Sequence, residues 1–190
     1  MTRAAILDAA ERAFVKHGLH GARMEDVAAA AGVAVGTIYN HVGDRDALFC
    51  ALVERRRAEF LEGLDAALRD AGVLPFEARL EAFTRAAVEQ AASYHPLVAL
   101  LVESGTAAGV WGKLRRAFVQ EVLSRAQRLV RAGVEAGALE PAGEAFYPNL
   151  LLGMLRGAMS PSFKSGDAGS AEEAARTLSR VFLRGAGTAP

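Results

Sequence analysis

Between residues 31 and 48 the sequence reads AGVAVGTIYNHVGDRDAL, with Thr37, Tyr39, Asn40 and His41 crowded around one apolar residue, Ile38. These side chains suit a particular chemistry. Asn carries a donor and an acceptor side by side, the pattern that pairs with an adenine edge in the major groove of DNA. The Thr37 hydroxyl, the Tyr39 phenol and the His41 imidazole can donate to phosphate oxygens, contacts that hold register without reading sequence. Arg45 follows four residues after His41 at the start of a helix, where its charge and the helix N-terminus can meet one phosphate together. At about 100° per residue, Asn40 lies roughly opposite Ile38, so packing Ile38 inward turns Asn40 outward. Gly36 lacks a side chain and allows the helix to approach another surface closely.

Other candidate sites are weaker. His17 and His20 have metal-like spacing, but Gly18 intervenes and no cysteine is near, so no metal is expected. GTAAGVWGKL ends in Gly-Lys, yet it lacks phosphate-loop spacing, has Leu114 where Ser or Thr is required and follows no strand. ERRRAE, residues 54 to 59, reads either as a nucleic-acid patch or as a solvated helix face, and its flanking glutamates favour the second. No Ser/His/Asp or Cys/His pairing can be placed, so an enzyme is not expected and neither is a cofactor.

Composition narrows the classes further. The 190 residues are 52% hydrophobic with zero net charge, which excludes a disordered chain and argues against nonspecific coating of nucleic acid. The single Cys50 excludes an internal disulfide framework and fits a reducing compartment. No apolar run approaches the roughly 18 residues of a membrane span, and no signal peptide precedes AAILDAAERAF, so a cytoplasmic location without membrane contact is expected.

The elements that position Asn40 are helical throughout. Ile6, Leu7, Ala10 and Phe14 form one stripe that stops near Gly18. A second helix covers about 24 to 31, ends at Gly32 and carries Glu25 and Asp26 in its first turn. A third covers about 35 to 42, with Ile38 and Val42 on its core side. Asp44 is an N-cap for a fourth helix reaching about Asp70. Two helices joined by a tight glycine turn make a helix-turn-helix. Further helices are expected over 76–94, 96–104 (beginning at Pro96), 110–136, 143–159 and 170–183, the last capped by Ser170.

The stretches ILDAAERAFVKHG, MEDVAAAAGVAVGTIYNHV and GDRDALFCALVE, about residues 3 to 54, resemble the TetR family of bacterial transcriptional repressors. The remaining two thirds match only in general character. The resemblance implies an all-α fold: a three-helix helix-turn-helix domain over 1–45, then a bundle over 46–190 for ligand binding and dimerisation. It makes residues 35 to 41 the recognition helix, with Thr37, Tyr39, His41 and Arg45 on phosphates. Two positions depart from the family pattern. Arg23 and Ala34 stand where capping Ser or Thr residues are common, each loss costing about 0.5–2 kcal/mol. Arg23 would instead touch a phosphate, and Val35, at a base-contact position, would meet a thymine methyl.

The family also implies an apolar effector cavity. Phe83, Leu100, Leu101, Trp111, Phe118, Tyr147 and Met154 are candidate walls, with His95, Glu103 and Asn149 as polar contacts. Leu151, Leu155 and Ala158 in one late helix, with Leu178, Val181 and Phe182 in the last, are candidates for a homodimer interface. Together these imply a ligand-responsive repressor binding a palindromic double-stranded DNA operator as a dimer. An enzyme with an unrecognised site and a helical interaction module are the alternatives.

Overall fold

The computed structural model describes residues 3–103, 109–158 and 170–187, with the side chains of 19–20 and 93–111 outside the description. Among the described residues eight α-helices follow one another: α1 (Arg3–Gly21), α2 (Met24–Ala31), α3 (Val35–Val42), α4 (Arg45–Asp70), α5 (Phe76–Glu103), α6 (Gly109–Glu135), α7 (Tyr147–Ala158) and α8 (Ala171–Ala186). A 3-10 turn, Pro141–Gly143, precedes α7. Among the described residues no strand forms beyond an isolated bridge between Leu139 and Gly187, and no helix is long and apolar enough to cross a membrane.

The chain divides into two compact units, residues 1–59 with 94–112, and residues 60–93 with 113–190. The core of the first unit takes in residues beyond position 45. Leu48, Phe49 and Leu52, in the first turns of α4, belong to the core formed by Ile6, Leu7, Phe14, Met24, Val27 and Ile38. Phe14 and Phe49 meet edge to face at 5.0 Å, a geometry that adds about 0.5–1.5 kcal/mol beyond area burial.

Local signals explain the short helices of the first unit. Gly18 has φ 74°, a break in α1 where its stripe was expected to end, although helix resumes to Gly21. α2 lacks a capping side chain at Arg23, but the Asp26 carboxylate accepts the Arg23 N–H at 3.0 Å. At its end Gly32 takes φ 69°, and Val33 N–H reaches back to the Ala28 carbonyl at 3.0 Å, a Schellman closure. α3 likewise has no side-chain cap at Ala34. α4 does have one: Asp44 Oδ1 accepts the Ala47 N–H at 2.8 Å.

In the second unit two expectations are corrected. The helix expected to break at Pro96 runs unbroken from Phe76 to Glu103. A proline inside a helix costs about 3 kcal/mol, and the helical ladder on both sides carries that loss. The helix expected over 143–159 begins only at Tyr147. A Cβ at Gly143 would lie 2.0 Å from the Tyr147 ring, so the chain turns tightly against that ring before the helix starts.

The core of this unit gathers Leu64, Leu80, Phe83, Leu129, Leu151, Leu155 and Phe182. Ring pairs Phe60–Phe118 at 5.0 Å and Tyr147–Phe182 at 5.9 Å join α4 to α6 and α7 to α8. Thr84 and Ser179 are buried together with their hydroxyls 3.0 Å apart, which satisfies both. Ser170 caps α8 as expected, accepting the Glu173 N–H at 3.2 Å while the Glu173 carboxylate accepts the Ser170 N–H at 2.8 Å.

Arg125 of α6 grips Asp65 of α4 with two hydrogen bonds, 2.9 and 2.5 Å. These bonds hold the Asp65 carboxyl below its ordinary pKa, against the opposing effect of partial burial. A depressed carboxylate pKa contributes stability that is complete above the unfolded value, about 3.9, and is lost as pH falls through the folded one. Asp65→Asn should therefore cost about 1 kcal/mol at pH 7, and the gap from wild type should narrow at a pH below the unfolded value of about 3.9. Urea unfolding at both pH values measures this, and an equal gap at both would remove the ion pair's role.

Candidate nucleic-acid interface

α3 is eight residues long, and Ile38 is its one fully buried side chain. Val35, Val42 and, from the turn, Val33 pack partly against the same core. That fixes the rotation of the helix about its axis. Tyr39 is left half exposed, Asn40 and His41 are exposed and Thr37 is half-buried. The outward placement of Asn40 expected from the position of Ile38 thus appears in the structure.

Around α3, Arg23 is exposed and Arg45 is half-buried, with its Nε 3.8 Å from Asp46 Oδ1. Val35 spends part of its surface on the core and offers only the rest outward. Gly36 is exposed, and a Cβ built on it would meet nothing within 4 Å.

The arginines of ERRRAE are neither a phosphate patch nor a solvated face. Arg55 Nη1 lies 2.7 Å from Asp8 Oδ1 and Arg55 Nη2 lies 3.2 Å from Glu11 Oε2. Arg56 also pairs with Glu11, and with Glu59 at 2.8 Å. Arg57 turns to Glu54 at 2.8 Å. Arg55 and Arg56 tie α4 to α1 through Asp8 and Glu11, which lie more than 40 positions away, so no local pattern signals the pairing. Burial first, then Asp46, Glu54 and Asp44, push the Cys50 thiol pKa up, away from the reactive thiolate form.

The residues expected to line an effector cavity are dispersed by role. Phe83 is fully buried, Phe118 stacks on Phe60, and Tyr147 stacks on Phe182. Met154 is half-buried, whereas Asn149 is exposed and points away from the packed side of α7. The side chains of His95, Leu100, Leu101, Glu103 and Trp111 lie outside the described residues. A cleft of about 470 Å³ lined by Gln127, Arg131, Pro141 and Glu144 and another of about 360 Å³ lined by Glu77, Glu81, Arg176 and Arg180 contain none of the expected residues.

The expected dimer contacts are also redistributed. Leu151, Leu155 and Phe182 are already buried within the protomer, so they have no surface left for a partner. Ala158 and Leu178 are half-buried and Val181 is 55% exposed. Sequence periodicity identified the apolar positions, and the protomer itself buries the deepest of them.

Known proteins bear on this geometry. A family model described as bacterial regulatory proteins, tetR family, matches residues 6–52, the span of α1 to the start of α4. An HTH-type transcriptional repressor of Streptomyces coelicolor is 31% identical over 150 residues, covering 79% of this chain and 72% of that protein. Other curated relatives align over 61 residues, and the chain spans about a third (32%) of their length. Among solved structures, a TetR-family transcriptional regulator of Mesorhizobium loti superposes with a TM-score of 0.82 at 20% identity, over 99% of this chain and 100% of that one. FadR of Bacillus subtilis, solved with stearoyl-CoA, superposes with a TM-score of 0.79 at 16% identity, over 97% of this chain and 99% of that one. The last two likenesses concern the fold.

Gly36 yields the first test of the interface. The fold makes no use of its missing side chain, and glycine inside a helix costs about 0.5–1 kcal/mol relative to alanine. Gly36→Ala should therefore raise thermal stability while weakening binding to DNA, because the added methyl stands on the exposed side. Melting curves and gel shifts report the two effects separately. A stabilised variant that binds DNA as well as wild type would show that nothing approaches the helix closely there.

Proposed function

The chain belongs to the TetR family of bacterial regulators, and on that ground we propose that it is a DNA-binding transcriptional regulator, a ligand-responsive repressor that acts as a homodimer. The observation that carries this reading is the face of α3. Burial of Ile38 turns Asn40, Tyr39 and His41 outward on the second helix of a glycine-joined pair, where a helix-turn-helix protein places its base-reading residues. Asn40 reads a base edge; Thr37, Tyr39, His41, Arg45 and Arg23 hold phosphates; Gly36 allows close approach, and the outer part of Val35 meets an apolar base edge.

A two-fold dimer presents two copies of α3 to two half-sites of a palindromic operator. The effector is a largely apolar small molecule bound in the second unit, near Phe83, Phe118 and Met154. FadR, whose fold is similar, holds stearoyl-CoA, a ligand with a long apolar chain. Such a ligand weakens DNA binding only by as much as it prefers the state that does not fit the operator. The protein works in the cytoplasm as a binding protein rather than an enzyme. Mapping its binding sites on the genome tests the proposal directly: a shared palindrome supports it, and the absence of any enriched sequence refutes it.

Two substitutions divide the interface by role. Asn40→Ala should cost about 1–3 kcal/mol per half-site on the operator and leave nonspecific DNA binding nearly unchanged. Unaltered discrimination between operator and scrambled DNA would take base reading away from Asn40. Arg45→Ala should weaken binding to every sequence and lower the salt slope by about one per subunit. A sequence-selective loss with the slope intact would instead make Arg45 a base reader.

A further inference from the structure

α5 and α8 wall a cleft of about 360 Å³ within the second unit, a volume in the range of small-molecule sites, about 300–1,000 Å³. α5 contributes Glu77 and Glu81, one helical turn apart. α8 contributes Arg176, Arg180 and Arg184, each one turn after the last, so all three project along one side of the helix. Between them lie Ser179 and Leu183. Ser179 is buried, and its hydroxyl sits 3.0 Å from that of Thr84 on α5. Thr84 Oγ1 also lies 3.4 Å from the Ala175 carbonyl. The two walls are therefore joined through the core, and the arginines are not needed to hold them together.

The charges of this cleft are unevenly matched. Arg176 pairs with Glu172 at 2.6 Å and approaches Glu81 at 3.8 Å. Among the described residues, Arg180 and Arg184 have no carboxylate oxygen within 4.0 Å, and Glu77 has no cationic nitrogen within 4.0 Å, although all three line the same space. The other cleft of this unit behaves differently. Its Arg131 and Glu144 close on each other at 3.5 Å and leave no charge unmatched.

Two guanidinium groups one turn apart present the forked donors that fit a carboxylate. A glutamate is acceptor-only when ionised, and an ammonium supplies three donors to it. A simple anion entering the cleft would be drawn by Arg180 and Arg184 but repelled by Glu77. A simple cation would meet the reverse. An occupant that carries both charges satisfies both walls, and half-buried Leu183 offers its carbon chain an apolar surface.

We propose that this cleft binds a small zwitterion of the amino-acid class, its carboxylate on Arg180 and Arg184 and its ammonium on Glu77. The site shares no residue with the face of α3 or with the apolar effector region, so it stands or falls independently of the regulatory reading.

Saturation-transfer NMR on the full chain tests it, with 4-aminobutyrate and 6-aminohexanoate as zwitterions and butyrate and butylamine as their singly charged counterparts. At least one zwitterion should bind saturably, about ten-fold more tightly than either counterpart, as expected for a few solvent-accessible charge pairs acting together. Arg180→Gln should weaken the zwitterion about ten-fold, and Glu77→Gln should remove its advantage over butyrate. Glu77 and Arg180 are both exposed, so both variants should keep the circular dichroism and melting temperature of wild type. Arg156→Gln, an exposed arginine on α7 outside the cleft, should leave binding unchanged. Three results overturn the proposal: no saturable binding of either zwitterion, butyrate bound as tightly as 4-aminobutyrate and 6-aminohexanoate, or zwitterion binding indifferent to Arg180→Gln and Glu77→Gln.

Discussion

Burial of Ile38 is the constraint from which the reading surface follows. An isolated helix of eight residues is too short to persist in water, so α3 exists because the core holds it. Ile38 enters that core completely, with Val35 and Val42 leaning on its edge. A short helix anchored through one central side chain has one rotational setting, and that setting decides which groups face outward. Gly32 and Gly43, at φ 69° and 91°, supply left-handed backbone on either side, which lets the chain enter and leave so short a helix.

The first turns of α4 are part of the same construction. Leu48, Phe49 and Leu52 complete the core beneath the helix-turn-helix, and the Phe14–Phe49 contact fixes α1 against α4. Around this apolar centre, Asp8 and Glu11 hold Arg55 and Arg56, each of which is less than a third exposed. Half-buried charges need partners, and these two arginines find theirs within the protein. The zero net charge of the chain is a balance of 22 basic and 22 acidic residues, and Arg23, Arg45 and His41 are basic residues on or beside α3.

In the second unit the helices are longer and hold one another through ring pairs, the Asp65–Arg125 bridge and the Thr84–Ser179 hydroxyl pair. The Thr84–Ser179 pair is buried and the Asp65–Arg125 bridge half-buried, so the packing is specified by hydrogen bonds as well as by shape. α7 and α8 differ from their neighbours because they are apolar on two sides. One side satisfies the protomer. The other leaves Phe146, Leu150 and Val181 in water.

The sequence by itself determined the helical class, the bounds of α2 and α3, the Asp44 and Ser170 caps and the outward turn of Asn40. All of these follow from interactions within about one helical turn: spacing, glycine backbone freedom and side-chain caps. Tertiary structure alone decided the rest. It carried α5 straight through Pro96, where the local preference was to stop, because a long helix tolerates one missing bond. It gave Arg55 and Arg56 to acids on α1, far away in sequence. It also chose which of two apolar stripes on α7 and α8 went inside, taking Leu151, Leu155 and Phe182 and leaving Leu150 and Val181 out. Periodicity reveals that a helix has apolar sides. It does not reveal which side the neighbouring helices fill, since that depends on groups the chain brings together only when it folds.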